Sequence, residues 1–279
     1  MNKKMCVTLI LLLLVSFTAC TRKHTRTASS PSQEKDAAQE ACEYAAGAYK
    51  HLQKGEFDMV IQDASEAIRL APPEACASVA YYVRAYAFHK KGNYDQAIGD
   101  ATEAIRLVPD GNKVLVDAYR VRALSYLVKK DYERAIEDAT TEIQLYPDDE
   151  AAWGAYCLRS MACEEKEEYD KALEDISKAI AVKPDDAGAY NTRAWLYAHF
   201  LKKDFDRAVE DANRAIELNP NEAAYYDTRG WAYLGIGDYN NATEDFSKAL
   251  QLDPDLTESK EGLEKIREAQ AAAPKEKDK

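Results

Sequence analysis

The chain has 279 residues, 46% of them hydrophobic and 31% charged, with only eleven glycines and nine prolines. This length suffices for a large core or an extended repeat array, and the low glycine and proline content favours helices. The formal net charge of −12 repels phosphate backbones. We therefore expect no nucleic-acid partner and favour basic or neutral protein partners.

The first twenty residues have the pattern of an export signal. Two lysines near the start precede an apolar run, Cys6 to Phe17, which is too short to span a bilayer comfortably. We expect a signal peptide over residues 1–19, with a short uncleaved signal anchor as the alternative.

The apolar run ends in the tetrapeptide Phe17-Thr18-Ala19-Cys20. This ending resembles the bacterial lipoprotein signal, in which the cysteine becomes the lipidated first residue of the mature protein, although that family usually has leucine where Phe17 stands. The resemblance implies a lipid on Cys20 and attachment to a membrane through buried acyl chains, at about 0.8 kcal/mol per methylene. It also implies a place in the bacterial cell envelope, facing the periplasm, with the outer membrane favoured over the inner one.

Residues 20–40 are polar, contain many serines and threonines and show no apolar period. This composition predicts a flexible tether. The basic start of the tether either lies on anionic lipid headgroups or is simply solvated, and the sequence leaves both alternatives open.

A phrase of aromatic, alanine and charged residues recurs through the rest of the chain. Its copies are 34 to 38 residues apart, with tyrosine at the fourth position and a small residue at the eighth. Small side chains let two helices approach closely. The six copies begin near Ala41, Ser78, Val116, Trp153, Ala187 and Ala223.

This pattern resembles the tetratricopeptide repeat (TPR), a helical hairpin with a basic period of about 34 residues. The resemblance implies an all-α fold, a right-handed superhelical α-solenoid of about six hairpins over residues 41–256. A solvated helix over residues 257–270 would cap the array, as the ends of repeat proteins require. Residues 271–279 would form a disordered tail.

Arginine recurs at the seventh position of every copy except the first, which has Gly47, and aspartate recurs in every second helix. The exception is explained if each arginine pairs with the aspartate of the preceding hairpin, because the first hairpin would then need none. Such pairs can be bidentate and would fix the stacking register. An anion site is the functional alternative. The predicted pairs are Asp63–Arg84, Asp100–Arg122, Asp138–Arg159, Asp175–Arg193 and Asp211–Arg229.

Four cysteines follow Cys20 in the chain. Cys157 and Cys163 are six residues apart on one helix, about 9 Å along its axis, which is too far for a disulfide. Cys42 and Cys76 lie near the starts of neighbouring parallel helices, so export would allow them to bridge. Two free buried thiols are the alternative.

We find no constellation of residues that suits catalysis. The four histidines are scattered, no metal-ligand spacing occurs and no glycine-rich phosphate loop is present. The sequence therefore predicts a protein that is not an enzyme and that carries neither a cofactor nor a metal.

In the TPR family the first helices line a concave groove, into which positions two, five, nine and twelve point. By this resemblance the ninth position presents a row of large apolar side chains to a partner, although packing between neighbouring helices is the structural alternative. The implied partner-binding residues are Tyr49, Tyr82, Tyr86, Leu124, Met161, Trp195 and Trp231, with Arg120, Asn191, Asp227, His89 and His199 beside them.

These features identify neither the partner, the pathway nor the oligomeric state. Together they predict a membrane-tethered, exported scaffold that binds a protein or peptide in its groove, as an adaptor for an envelope assembly. A periplasmic chaperone or secretion factor with transient clients is the alternative, and an enzyme is the third hypothesis.

Overall fold

The computed structural model describes residues 31–70, 74–108, 113–147, 150–202 and 204–272. The predicted signal peptide and Cys20 lie outside these residues. Within them every regular element is a helix, and no helix is long and apolar enough to cross a membrane. The chain divides into two compact units, the first ending at Ser125 and the second beginning at Tyr126.

Thirteen α-helices occur in the described part of the chain. The first unit contains α1 (Pro31–Lys54), α2 (Phe57–Arg69), α3 (Glu74–Lys90), α4 (Tyr94–Leu107) and most of α5 (Lys113–Val128). The second contains α6 (Tyr132–Leu145), α7 (Glu150–Glu165), α8 (Tyr169–Val182), α9 (Ala187–Trp195), α10 (Phe205–Leu218), α11 (Ala223–Ile236), α12 (Tyr239–Leu252) and α13 (Thr257–Ala272). Consecutive helices pack as hairpins within each unit, which confirms the predicted all-α fold.

The turn inside each hairpin has a recurring geometry. The backbone N–H of Asn93 donates to the carbonyl of Phe88 (2.8 Å), five residues earlier, and other hairpins repeat this bond. Such a closure places the residue before the donor in the left-handed region. Gly92 (φ 79°) adopts that conformation without a steric penalty, whereas Lys130 (φ 61°) and Glu167 (φ 59°) adopt it with a side chain.

The fifth hairpin departs from this turn. After α9 the chain continues as a π-helix over Leu196–Leu201, followed by Lys202 in the left-handed region (φ 46°). A π-helix accommodates extra residues within a helix. The fifth copy of the repeat has two more residues in this turn than its neighbours, and the π-helix lies next to them.

The core of each unit is built around alanine. At the eighth position Ala48, Ala85, Ala123 and Ala194 are fully buried, as are Ala97, Ala135, Ala172, Ala208 and Ala242 in the second helices. Larger side chains fill the space between these close contacts. Val60 and Val83 are the largest fully buried side chains of the first unit, and Phe246, Ile176 and Leu196 are among those of the second.

Helix α13 packs on the last hairpin through an aromatic ring. Phe246 of α12 is fully buried, and a Cβ atom at Gly230 or Gly262 would come within 2.7 Å or 2.4 Å of its ring. Glycine at these two positions therefore permits the close approach of α11 and α13. Ala271 and Ala272, predicted to begin a disordered tail, are the last residues of α13, and residues 273–279 lie outside the described part of the chain.

The prediction of a flexible tether over residues 20–40 is wrong for its second part, because α1 already begins at Pro31. The segment from Ser32 to Glu40 contains Ala, Glu, Gln and Lys, which are good helix formers, even though they form no apolar period. Proline suits the first turn of a helix, where its missing N–H has no intrahelical partner to lose.

Candidate binding surfaces

Four of the five arginines of the column pair with the aspartate of their own hairpin, so the predicted pairing with the preceding hairpin is wrong. Arg159 donates from Nε and Nη2 to both carboxylate oxygens of Asp175, at 2.8 and 2.7 Å. Both residues belong to one hairpin, where the antiparallel course of α7 and α8 brings them face to face. The same bidentate geometry joins Arg84 to Asp100, Arg193 to Asp211 and Arg229 to Asp245.

The third guanidinium nitrogen makes the contact between hairpins. Arg159 Nη1 donates to Thr140 Oγ1 (2.9 Å), a residue of the hairpin before it. Each guanidinium also lies over a tyrosine ring of its own helix, as Arg159 lies over Tyr156 at 5.8 Å. Each guanidinium is bonded to side chains of this chain, so the arginine column does not form the anion site that was the alternative. The column of hydrogen-bond acceptors, which the sequence analysis missed, is Ser65, Thr102, Thr140, Ser177 and Asn213.

In the first unit the ninth-position residues Tyr49, Tyr86 and Leu124 are partly buried, and so is Tyr82 beside them. Burial raises the pKa of Tyr82 above its usual range, with Asp117 and the two neighbouring tyrosines as smaller contributions. The first unit therefore has a polar aromatic surface whose tyrosines are only partly exposed.

In the second unit the ninth-position tryptophans lie in a continuous aromatic row. Trp195 stacks on His199 with ring centroids 3.3 Å apart, and His199 meets the edge of Trp231 at 5.2 Å. Lys265 Nζ lies 4.6 Å from the centre of the Trp231 ring. We call Trp195, His199 and Trp231 the tryptophan cluster. All three side chains are partly buried, whereas Met161, at the ninth position of α7, is 48% exposed.

Polar atoms with no partner accompany the tryptophan cluster. Asn191 Oδ1, His199 Nδ1 and Trp231 Nε1 are buried and have no hydrogen-bond partner within the residues that the structure describes. Asn191 and Trp195 are four residues apart in α9, which puts them on one face of that helix, and His199 of the following π-helix stacks on Trp195. Burial lowers the pKa of His199 to about 4, so its ring is neutral at physiological pH. This face offers neutral donors and acceptors between aromatic rings, with the Lys265 ammonium over one of them.

Asp227, which the sequence places in the groove, is covered by α13. Ser259 of α13 donates to Asp227 Oδ1 at 2.5 Å, and the two residues are 0% and 3% exposed. Burial raises the pKa of Asp227 to about 6. This carboxylate therefore takes part in docking of the last helix and does not offer a charge to a partner.

A disulfide joins α1 to α3. Cys42 and Cys76 are bonded, with their Cα atoms 5.3 Å apart, whereas Cys157 and Cys163 are free thiols. Burial raises the pKa of Cys157 to about 12 and also raises that of Cys163. Both thiols are therefore protonated at neutral pH and poor nucleophiles. No group of three metal-ligating residues occurs among the described residues.

Family models of the tetratricopeptide repeat match residues 82–150 and 164–223, and a second model matches residues 223–256. Together these matches cover more than half of the chain. The chain is a tetratricopeptide repeat protein. A comparison with curated protein sequences gave no significant match.

Solved structures of TPR proteins have the same fold. YrrB, described as a TPR protein with an unusual peptide-binding site, is 17% identical, with a TM-score of 0.55 over 67% of this chain and 92% of its own. MamA from Desulfovibrio magneticus RS-1 is 20% identical, with a TM-score of 0.56 over 64% of this chain and 96% of its own. The anaphase-promoting-complex hetero-tetramer Cut9–Hcn1 gives a TM-score of 0.64 at 18% identity, over 84% of this TPR chain and 45% of that chain.

Proposed function

We propose that this TPR protein is an exported scaffold that binds a protein or peptide partner at its tryptophan cluster. The observation that carries the proposal is the combination of stacked rings with buried, unpartnered polar atoms at Asn191, His199 and Trp231. An extended peptide supplies what this face lacks, because its backbone both donates and accepts hydrogen bonds. Its apolar side chains would gain roughly 25 cal/mol for each Å² buried against the rings.

The proposal includes a lipid anchor on Cys20 that holds the scaffold at a bacterial envelope membrane, where it serves as an adaptor for an envelope assembly. Two observations support export. The N-terminal sequence has the charged start and apolar run of a signal, and the structured part contains the Cys42–Cys76 disulfide. Structural disulfides persist in oxidising compartments such as the periplasm.

The test compares partner capture with folding. Trp195→Ala and Trp231→Ala should weaken capture of a partner from solubilised envelope membranes by at least about tenfold, as expected when a central aromatic anchor is lost. The thermal midpoint of each variant should fall less than that of Trp153→Ala. Trp153, the third tryptophan of the sequence, stands at the first position of its repeat and outside the tryptophan cluster. Lys183 Nζ lies over its ring, 4.2 Å from the ring centre.

Trp153→Ala should leave capture unchanged in the folded fraction. Unchanged capture by both cluster variants, together with a large loss of stability, would show that the cluster is only core.

The number of captured species separates the two biological roles. One salt-resistant partner supports an adaptor, and many weakly held clients support the alternative, a periplasmic chaperone or secretion factor.

A further inference from the structure

The first hairpin retains a binding arrangement for an arginine that it does not itself supply. Gly47 stands at the position of the arginine column, but the groups that hold the arginine elsewhere are present as Tyr44 and Asp63. A surface depression opens at this point. The residues that line it are Tyr44, Gln62, Asp63, Ser65, Glu66 and Arg69.

The other hairpins show what this arrangement binds. In four of them an aspartate at the position of Asp63 receives two parallel N–H bonds from an arginine, at 2.6 to 2.8 Å. In the same hairpins a tyrosine at the position of Tyr44 lies beneath the guanidinium at 5.6 to 5.8 Å. The structure thus contains four occupied examples of the site that α1 and α2 leave open.

The charges around the depression suit a cation. Arg69 is held by Glu66 through two bonds, at 2.8 and 2.5 Å, so Glu66 is already neutralised. Among the described residues Asp63 forms an ion pair only with His51, whose Nε2 lies 3.6 Å from Oδ2, and the other ring nitrogen of His51 is bonded to Glu56. The Asp63 side chain is 18% exposed and therefore accessible from solvent.

We propose that this depression is a binding site for an arginine side chain of a protein partner. Arginine fits because its planar fork bonds both oxygens of one carboxylate while its flat face lies on an aromatic ring, whereas the point charge of lysine cannot do both at once. Arg84, the first arginine of the column, is bonded to Asp100, and no arginine of the described residues forms a hydrogen bond or ion pair with Asp63. The site uses the seventh-position column and not the ninth-position row, so it does not rest on the proposed function.

The experiment is a titration of the isotope-labelled protein with N-acetyl-arginine methylamide, followed by amide NMR shifts. We expect saturable shifts around Gly47 and Asp63, and binding of N-acetyl-lysine methylamide that is weaker by at least roughly fivefold. Gly47→Arg should abolish this binding, because the introduced guanidinium occupies the site from within the chain. A Cβ at this position meets only the movable carboxylate oxygen of Asp63, at 2.9 Å.

Gly99→Arg is the matched control. Gly99 is an exposed residue in the middle of α4, and a Cβ added there meets nothing within 4 Å. The control makes the same change in charge and helix propensity away from Asp63, beside Asp95 and Glu103, which lie four residues away on the surface of α4 and offer only weak surface pairs. It should therefore retain arginine binding and show a lower thermal midpoint than Gly47→Arg. Equal binding by the two variants, equal affinity for the lysine probe, or a Gly47→Arg midpoint no higher than that of the control would overturn the proposal.

Discussion

At the scale of single residues, the arginine–aspartate pairs make local contributions to stability. The Asp175 side chain is 5% exposed and accepts both bonds of the Arg159 fork. Asp175→Ala leaves a partly buried guanidinium without its carboxylate, so we expect the free energy of unfolding to fall by about 3 kcal/mol. Urea denaturation followed by circular dichroism measures this change.

Glu174→Ala provides the control for that measurement. Glu174 precedes Asp175 in α8 and also forms an ion pair, with Lys178 at 2.5 Å, but its side chain is 66% exposed. An exposed pair of this kind contributes little, because solvent screens the two charges. Equal losses in the two variants would contradict the burial argument.

Lys130 offers a stabilising substitution. It adopts φ 61° in the turn before α6, where the second hairpin has Gly92 at φ 79°. Because a side chain in the left-handed region is sterically penalised, Lys130→Gly should raise the free energy of unfolding by about 1 kcal/mol. The neighbouring substitution Lys129→Gly, at a position that does not have positive φ, should lower it. A shift of the same sign in both variants would show that the turn is not strained.

The repeat columns predict which residues form ion pairs but not which arginine pairs with which aspartate. Arginine and aspartate recur with the same period, so a column alone fits pairing within a hairpin or between hairpins equally well. The antiparallel course of the two helices places each arginine opposite the aspartate of its own hairpin. The hydroxyl or amide residue two places after the aspartate, as in Ser65 and Ser177, instead receives the third guanidinium nitrogen from the next hairpin. Gly47 therefore marks a hairpin whose own aspartate, Asp63, lacks the arginine that the other hairpins supply.

At the scale of whole elements, the docking of α13 should depend on pH. Burial raises the pKa of Asp227 to about 6 from an ordinary value of 3.8, so the folded state favours the protonated carboxyl. Its stabilising contribution is complete below the unfolded value and is lost as pH rises through about 6. The upper limit is about 3 kcal/mol for a shift near two units. Amide hydrogen exchange of α13 should therefore be faster at pH 7 than at pH 4.5, after correction for the intrinsic rates.

Asp227→Asn separates this effect from the titration of other carboxyl groups. The amide keeps an oxygen that accepts the Ser259 hydrogen bond but cannot ionise. The corrected exchange of α13 should then be slow at both pH values. A variant that retains the wild-type pH dependence would show that another group is responsible.

Element boundaries were predictable wherever a local signal marks them. Phe57 and the corresponding aromatic residues begin the second helices, as the repeat indicates. The start of α1 at Pro31 was missed because its first turns have no apolar face to form a period. The π-helix over Leu196–Leu201 was missed for a different reason. An insertion in the sequence does not reveal whether the extra residues join a helix or a loop.

At the scale of the whole molecule, the lipid anchor is the testable expectation. Cys20→Ala removes the acceptor of the lipid, so the protein should leave the membrane fraction or accumulate as an unprocessed precursor. Fractionation and gel mobility report the two outcomes. Cys6→Ala makes the same change within the apolar run and should leave anchoring intact. A Cys20→Ala protein that fractionates and migrates like the native one would exclude lipidation.

The helical-hairpin fold of the described residues was the most predictable property, because a repeated phrase constrains many hairpins at once. The binding surface was less predictable. Trp195 and Trp231 follow from the ninth-position column, but the stacking of His199 between them depends on the π-helix. Coverage of Asp227 depends on α13, which is not part of the repeat.

The disulfide between α1 and α3 determines how the array would respond to mechanical force. Repeat arrays lose structure from their ends, where each hairpin has only one neighbour. A pull on the N-terminal end of α1 reaches Cys42 and passes through the covalent bond to Cys76, which is 34 residues further along the chain. The segment between the two cysteines, including all of α2, then lies in a closed loop outside the line of tension. When the chain is pulled from its N-terminal end, tension therefore passes to α3 while the loop closed by the disulfide stays folded.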